Sequence, residues 1–395
     1  MLKKSFVEEL FKSFYIERWN DKIRQVELIE IDKHAHKMVI AWLLAKYEEM
    51  QGNEVNWMNI IRGGMFDLLF RIELSDIKSP LFREIKKNKQ LFLDLSNWVY
   101  RELEPKIGND RIKSELKEYF NSYHYFDQMS WDILNAAHIF SSYWEFNILK
   151  KADPFEYQKE RIETALMADI ESFSHLTGIK KLLNKDNILK FVDLCGQMRF
   201  QKRWGQTMRL PKTSVLGHSL FVACLSYFLS YELNACDKRL YNNFFGGLFH
   251  DLPEAVTRDI VSPVKKSVKG MPEAIKEIEE QWADREIYPL VEEQWRQELK
   301  YFTIDEFKSK IIENDTIILT NSDTINEKYN YTEFSPYDGE IVKAIDELAA
   351  FLECWHSNKL GMKSEELIYS MFEIQRKYRD KSIAGIPFKE LYVDF

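Results

Sequence analysis

A long internal repeat constrains this chain more than any other feature of its sequence. The segment Gly63-Gly-Met-Phe-Asp-Leu-Leu-Phe-Arg-Ile-Glu-Leu-Ser-Asp-Ile-Lys-Ser-Pro80 aligns without a gap to Gly246-Gly-Leu-Phe-His-Asp-Leu-Pro-Glu-Ala-Val-Thr-Arg-Asp-Ile-Val-Ser-Pro263, at an offset of 183 residues. Eight of the eighteen positions are identical, where ordinary composition gives roughly one. The same offset pairs Asp132 with Asp315 and Gly178-Ile-Lys with Gly361-Met-Lys. Arg18-Trp19 resembles Arg203-Trp204 and His36-Lys-Met-Val-Ile-Ala resembles His218-Ser-Leu-Phe-Val-Ala, at offsets of 185 and 182, so small insertions separate these matches. A period this long indicates a duplicated domain, not a solenoid. The join falls near residue 183, giving expected domains of 1–183 and 184–395.

Each half is long enough for its own core. Only 14 Gly and 10 Pro occur in 395 residues. Apolar residues recur at three- and four-residue spacing, as in Ile341-Val-Lys-Ala-Ile-Asp-Glu-Leu-Ala-Ala-Phe-Leu352, which is the pattern of a helix with one buried face. No run of alternating strands stands out, and the expected fold class is all-α. The net charge of -8 argues against a sequence-independent grip on nucleic acid, which needs clustered Lys and Arg. A small anionic substrate held by a few local cations stays compatible with it. Cys195, Cys224, Cys236 and Cys354 have no metal-finger or redox spacing and read as small apolar residues of a reducing compartment. The first ten residues carry acids where a signal peptide needs an apolar run, and no stretch is apolar enough to span a membrane. The expectation is a soluble cytoplasmic protein.

The second half carries the residues with metal chemistry. His250 and Asp251 are adjacent, His218 lies 32 residues upstream in an apolar segment, and Asp315 lies 64 residues downstream of Asp251 in Ile311-Ile-Glu-Asn-Asp-Thr-Ile-Ile-Leu319. That last stretch reads as an apolar helix, in which a carboxylate is costly to bury unless paired or metal-bound. Two His and two Asp form a donor set for one divalent transition metal: Mn, Co, Zn, Fe or Ni. Glu254 follows within one turn, where a carboxylate can assist proton transfer. Pro253 suits the first turn of a new helix starting near Leu252.

These residues resemble the H…HD…D signature of the HD-domain metal-dependent phosphohydrolases. The text is similar to the bacterial 5′-deoxynucleotidase branch in Arg203-Trp204, in Gly217-His218-Ser219-Leu220, and in His250-Asp-Leu-Pro-Glu-Ala-Val-Thr-Arg-Asp-Ile-Val-Ser-Pro-Val-Lys265. The resemblance covers roughly residues 190 to 330. It implies two tandem HD-type helical domains and one divalent metal held by His218, His250, Asp251 and Asp315. It also implies hydrolysis of a nucleotide phosphomonoester by metal-bound water, with Glu254 assisting. Arg203 is then expected to hold phosphate, Trp204 to crowd the sugar against a 2′-hydroxyl, and Asp259 to line the pocket near the sugar. Gly217 departs from the branch, which has Glu there. Because that branch works as a dimer, the duplicated chain is expected to form an intrachain pseudo-dimer; further oligomerisation is open.

In the first half Asp67-Leu68 replaces His250-Asp251 and Arg71 replaces Glu254, while His36 and Asp132 align with the outer ligands. Two or three ligands are too few for a tight divalent site. Arg18 and Arg71 read as solvated in preference to forming a second anion site. His34, His124, His138, His175 and His356 read as structural or exposed. No His lies between Asp251 and Asp315, which favours one metal over two. The leading function is a phosphohydrolase of (deoxy)nucleoside 5′-monophosphates. The alternatives are the same chemistry on a nucleoside triphosphate or alarmone, and a nucleotide-binding regulator without turnover.

Overall fold

The Gly-Gly steps of the repeat set how closely two pairs of helices approach. A Cβ added at Gly247 would lie 2.8 Å from the Cα of Ala223 on the neighbouring helix, and one at Gly64 would collide with the Met38 side chain. Only hydrogen fits at such a contact. In a computed structural model of the chain, the described residues are 2–75, 77–122, 126–152, 154–258, 268–393 and 395. Asp259, His124 and the Pro263-Val-Lys265 end of the repeat lie outside them. The chain divides into two compact units, Met1–Asn184 and Lys185–Phe395. Helices dominate, and the sheets among the described residues are two small two-stranded ones, so the class is all-α. Among the described residues no helix is long and apolar enough to cross a membrane.

In the N-terminal unit the elements that matter are α1 (Glu30–Met50), α2 (Trp57–Leu74), α3 (Ser79–Lys87) and α4 (Gln128–Leu149). Helix α1 is buried over most of its length, including Lys33, His34, His36 and Lys37, and packs against α2 and α4. Its polar residues are therefore inside the unit, where each needs a partner.

The C-terminal unit is built around α5 (Val215–Glu232), capped by the Ser214 hydroxyl, which accepts from the Gly217 N–H at 2.9 Å. Residues 215–231 of α5 are all buried. Helix α6 (Asp237–Phe249) lies along α5 and ends at His250. A single turn, α7 (Glu254–Thr257), follows Pro253, as expected for a helix restarting after proline. Helix α8 (Gly339–Lys359) packs on α5, α6 and α9 (Glu365–Tyr378). The start of α8 is fixed by Asp338. It accepts two bonds from Arg239, at 2.7 and 3.1 Å, and one from Asn243 at 2.7 Å, and the pair with Arg239 is fully buried. Removing one partner of such a pair typically costs about 3–5 kcal/mol.

The segment expected to be an apolar helix around Asp315 is a β-hairpin. Strands β1 (Lys310–Glu313) and β2 (Thr316–Leu319) pair antiparallel with Glu313 opposite Thr316. Asn314 and Asp315 form the two-residue turn, with φ of 49° and 58°. Asn and Asp tolerate left-handed backbone, and β-branched runs on either side favour strands. Both residues of the turn are exposed.

Candidate metal centre

The end of α6 brings His250 and Asp251 to the buried face of α5, where His218 sits one turn from its start. His250 Nδ1 donates to the Gly247 carbonyl at 2.8 Å. That bond fixes the tautomer and leaves Nε2, which is buried and makes no hydrogen bond among the described residues, with its lone pair available. Nε2 lies 3.3 Å from Asp251 Oδ1. His218 Nε2 lies 3.9 Å from Asp251 Oδ2. Burial, reinforced by Arg203, pushes the His218 imidazole below its ordinary value, which keeps it in the neutral form that ligates metals.

The carboxylate that completes the set is Asp346 on α8. Its Oδ1 is 2.9 Å from His218 Nε2, and donor atoms of His218, His250 and Asp346 lie within 4.8 Å of one another. Asp346 is partly open to solvent. Burial pushes its carboxyl up, but His218 and Arg203 more than offset this and hold it well below the usual carboxylate range. Imidazole nitrogens facing two carboxylates suit a divalent transition metal. His218, His250, Asp251 and Asp346 are the residues that would hold it.

Asp315 is therefore not part of this cluster. It occupies the exposed turn of the β1–β2 hairpin, while α8 delivers the fourth carboxylate. The signal for Asp346 was present in the sequence. Asp346 and Glu353 are seven residues apart in the stretch whose apolar spacing marks the helix, so both share one face.

Glu353 organises the Arg-Trp pair. Trp204 Nε1 donates to its Oε2 at 2.6 Å, and Arg203 Nε lies 3.3 Å from its Oε1. Burial raises this carboxyl, but Arg203 and Arg209 prevail and hold it at about 2. The guanidinium of Arg203 then reaches the centre: Nη1 is 3.7 Å from Asp251 Oδ2 and Nη2 is 3.7 Å from Asp346 Oδ1. Glu254 stands at the start of α7. Its N–H donates to the Asp251 carbonyl at 3.0 Å and its carbonyl accepts from Gln201 at 3.1 Å, which holds it to the turn that carries Asp251. Glu306 and Phe307 also border the centre and were not anticipated. The Phe307 ring is 5.9 Å from that of His250, and burial pushes the Glu306 carboxyl up beside His250 and Asp251. Their sequence context, Ile304-Asp-Glu-Phe-Lys308, reads only as a polar turn.

Residues 195–378 match the family model described as the HD domain. The match takes in His218, His250, Asp251, Asp346 and Arg203. It supports placing this part of the chain in the HD-domain superfamily, with metal-dependent phosphohydrolase chemistry as the general class. No curated protein matches the chain.

The N-terminal unit repeats the local bonds around Arg203 and the start of α5 at a constant offset of 185. Arg18 N–H donates to Leu28 O at 2.7 Å, and Arg203 N–H to Thr213 O at 3.1 Å. Glu30 N–H donates to Ile16 O, and Val215 N–H to Gln201 O. Bridges join Glu17 to Ile29 and Lys202 to Ser214. Trp19 and Trp204 share a positive φ, 56° and 59°. By that count Lys33, and not His36, stands where His218 stands. On α4, Glu145 accepts from Arg18 Nε at 3.0 Å and from Trp19 Nε1 at 2.9 Å, as Glu353 meets Arg203 and Trp204. Seven residues before Glu145 is His138, as Asp346 is seven before Glu353. Lys33 Nζ bonds to His138.

His36 instead packs edge-on against Trp144, with ring centroids 4.9 Å apart, and Asp132 pairs with His175 at 2.9 Å. Neither occupies a ligand position. Lys37 pairs with Asp67, the residue aligned with His250. Lysines at two positions, with His138 in place of a carboxylate, leave no fit for a divalent cation there. Arg18 and Arg71 are not solvated side chains: they are only 12% and 14% exposed, and both pair with Glu30.

Proposed function

We propose that the C-terminal unit is a metal-dependent phosphohydrolase that releases phosphate from (deoxy)nucleoside 5′-monophosphates. The reading rests on one observation above the others. Two imidazoles and two carboxylates converge, and a guanidinium lies 3.7 Å from each carboxylate. When bound, a divalent transition metal supplies Lewis acidity and lowers the pKa of a coordinated water. Arg203 is positioned to fork onto phosphate oxygens beside the centre, the geometry in which Arg excels. Glu353 orients that guanidinium and pins the Trp204 indole, which would then crowd the sugar and disfavour a 2′-hydroxyl. Glu254, one turn beyond Asp251, would hold or pass the proton of the attacking water or the leaving oxygen. The repeated bonds at offset 185 support a duplicated origin in which the N-terminal copy lost its ligands.

A phosphate-release screen across ribo and deoxy mono-, di- and triphosphates with Mn, Co, Zn, Fe and Ni tests the reading. Asp346→Ala is expected to lower the best activity by more than about 100-fold, since even residues that only support a metal site are worth 10–100-fold. Asp315→Ala is expected to leave it within about twofold, as for an exposed turn residue. Equal rates for Asp346→Ala and the parent chain would reject the site.

A further inference from the structure

The ion pairs of the N-terminal unit do not balance. Glu30 accepts from Arg18 at 2.8 Å, from His34 at 3.1 Å and from Arg71 at 3.5 Å. Glu145 accepts from Arg18 and Trp19. Asp67 accepts from Lys37 and from the Tyr119 hydroxyl. The three carboxylates are thus well supplied with donors. Among the described residues the cations are in excess: Arg18, Lys33, Lys37, Arg71 and Lys86 face Glu30, Asp67 and Glu145. That leaves two positive charges with Lys33 protonated and one without it, since burial holds Lys33 well below its ordinary value.

The excess is concentrated at one edge. Arg71 makes its ion pair, among the described residues, through Nε alone, which leaves both terminal nitrogens for another acceptor. Lys86 is exposed. Its ammonium is 4.8 Å from the Phe82 ring centroid, and the Arg71 guanidinium is 5.9 Å from the same ring. Both cations thus lie against the Phe82 ring. Near them Lys37 is completely buried against Asp67, whose carboxylate is 37% exposed, so a buried cationic floor lies behind that carboxylate. Charges on such a floor are screened by salt far less than surface charges.

We propose that this edge of the N-terminal unit binds a phosphate-bearing dianion without any metal, gripped by the fork of Arg71 and by Lys86, with Arg18 behind them. A dianion cancels the charge excess, and a guanidinium whose terminal nitrogens make no ion pair among the described residues matches two phosphate oxygens. The site stands apart from the hydrolase reading and does not depend on it. The full chain carrying Arg203→Gln, so that the C-terminal guanidinium is gone, is equilibrated with radiolabelled inorganic phosphate or pyrophosphate in excess chelator. One anion bound per chain is expected. Adding Arg71→Gln should weaken that binding at least tenfold, and adding Lys86→Gln instead should weaken it severalfold. If Arg71→Gln fails to fold by circular dichroism, the exposed Lys86→Gln decides alone. Absence of binding in chelator, or binding that survives the variants undiminished, overturns the site.

Discussion

The two units hold the same Arg-Trp-Glu clasp around opposite electrostatics. In the C-terminal unit the clasp borders two imidazoles and two carboxylates, with Glu306 nearby, and the negative charge calls for a cation from solution. In the N-terminal unit Lys33 and Lys37 stand at the corresponding depth, so the cation is covalently part of the chain. By the repeated bonds Lys33 stands where His218 stands, and His138 where Asp346 stands. The difference teaches that one clasp can stand over a cluster of imidazoles and carboxylates or over a cluster rich in lysine. A half-buried carboxylate such as Asp67 is favoured in its charged form by a positive group beside it, and Lys37 on α1 supplies one. Burial raises the Asp67 carboxyl, but Lys37 more than offsets it and holds the group well below the usual carboxylate range.

That contrast can be broken most sharply by counting metal. Elemental analysis of the loaded protein is expected to give one divalent ion per chain, and stripping it with a chelator should reduce phosphate release by more than about 100-fold. Two ions per chain would mean that Lys33 and Lys37 do not exclude metal. Next in size is the internal cation itself. Lys37→Met leaves Asp67 without its ammonium and is expected to cost about 2–3 kcal/mol, below the usual 3–5 for a buried pair because Asp67 is partly hydrated. Adding Asp67→Leu should return most of that loss in chemical denaturation. A double variant no more stable than Lys37→Met would reject the coupling.

Acid should affect the N-terminal unit through His34. Burial, only partly offset by Glu30, lowers its imidazole from 6.5 to about 4. Between those values the unfolded chain binds more protons than the folded one, so stability is intact above pH 6.5 and falls as the pH drops toward 4. From pH 7 to pH 5 the loss is about 2 kcal/mol, visible as a falling melting temperature. His34→Gln should flatten that slope, and an unchanged slope would assign the titration elsewhere. The smallest effect concerns Trp204. Trp204→Ala is expected to narrow the ratio of deoxy to ribo turnover by about 10-fold or less, the scale of one apolar contact. A constant ratio would remove the indole from sugar selection.

Much of this was legible in the sequence. The helical periodicity gave the class, and the repeat directed attention to His218, His250, Asp251 and the Arg-Trp pair. The fourth carboxylate was misplaced because the offset of 183 holds only around the Gly-Gly segment. Carried forward, it pairs Asp132 with Asp315, whereas α4 and α8 correspond at His138 and Asp346, 208 residues apart. The Ile-rich flanks of Asp315 also read as an apolar helix, although Asn-Asp between β-branched residues is a hairpin signal. The same local slippage made His36 look like the counterpart of His218. A one-dimensional alignment has no means of noticing that a lysine has taken an imidazole's place; the bonds at offset 185 reveal it.

Gly247 carries two duties that a sequence comparison would count as one. Its bare Cα lets α6 lie against Ala223, and its carbonyl sets the tautomer of His250. A single added methyl would therefore alter the spacing of two helices and the aim of an imidazole together, without touching any ligand. A position on which this centre depends is thus a residue with no side chain, and a survey of charged or aromatic substitutions would pass it by.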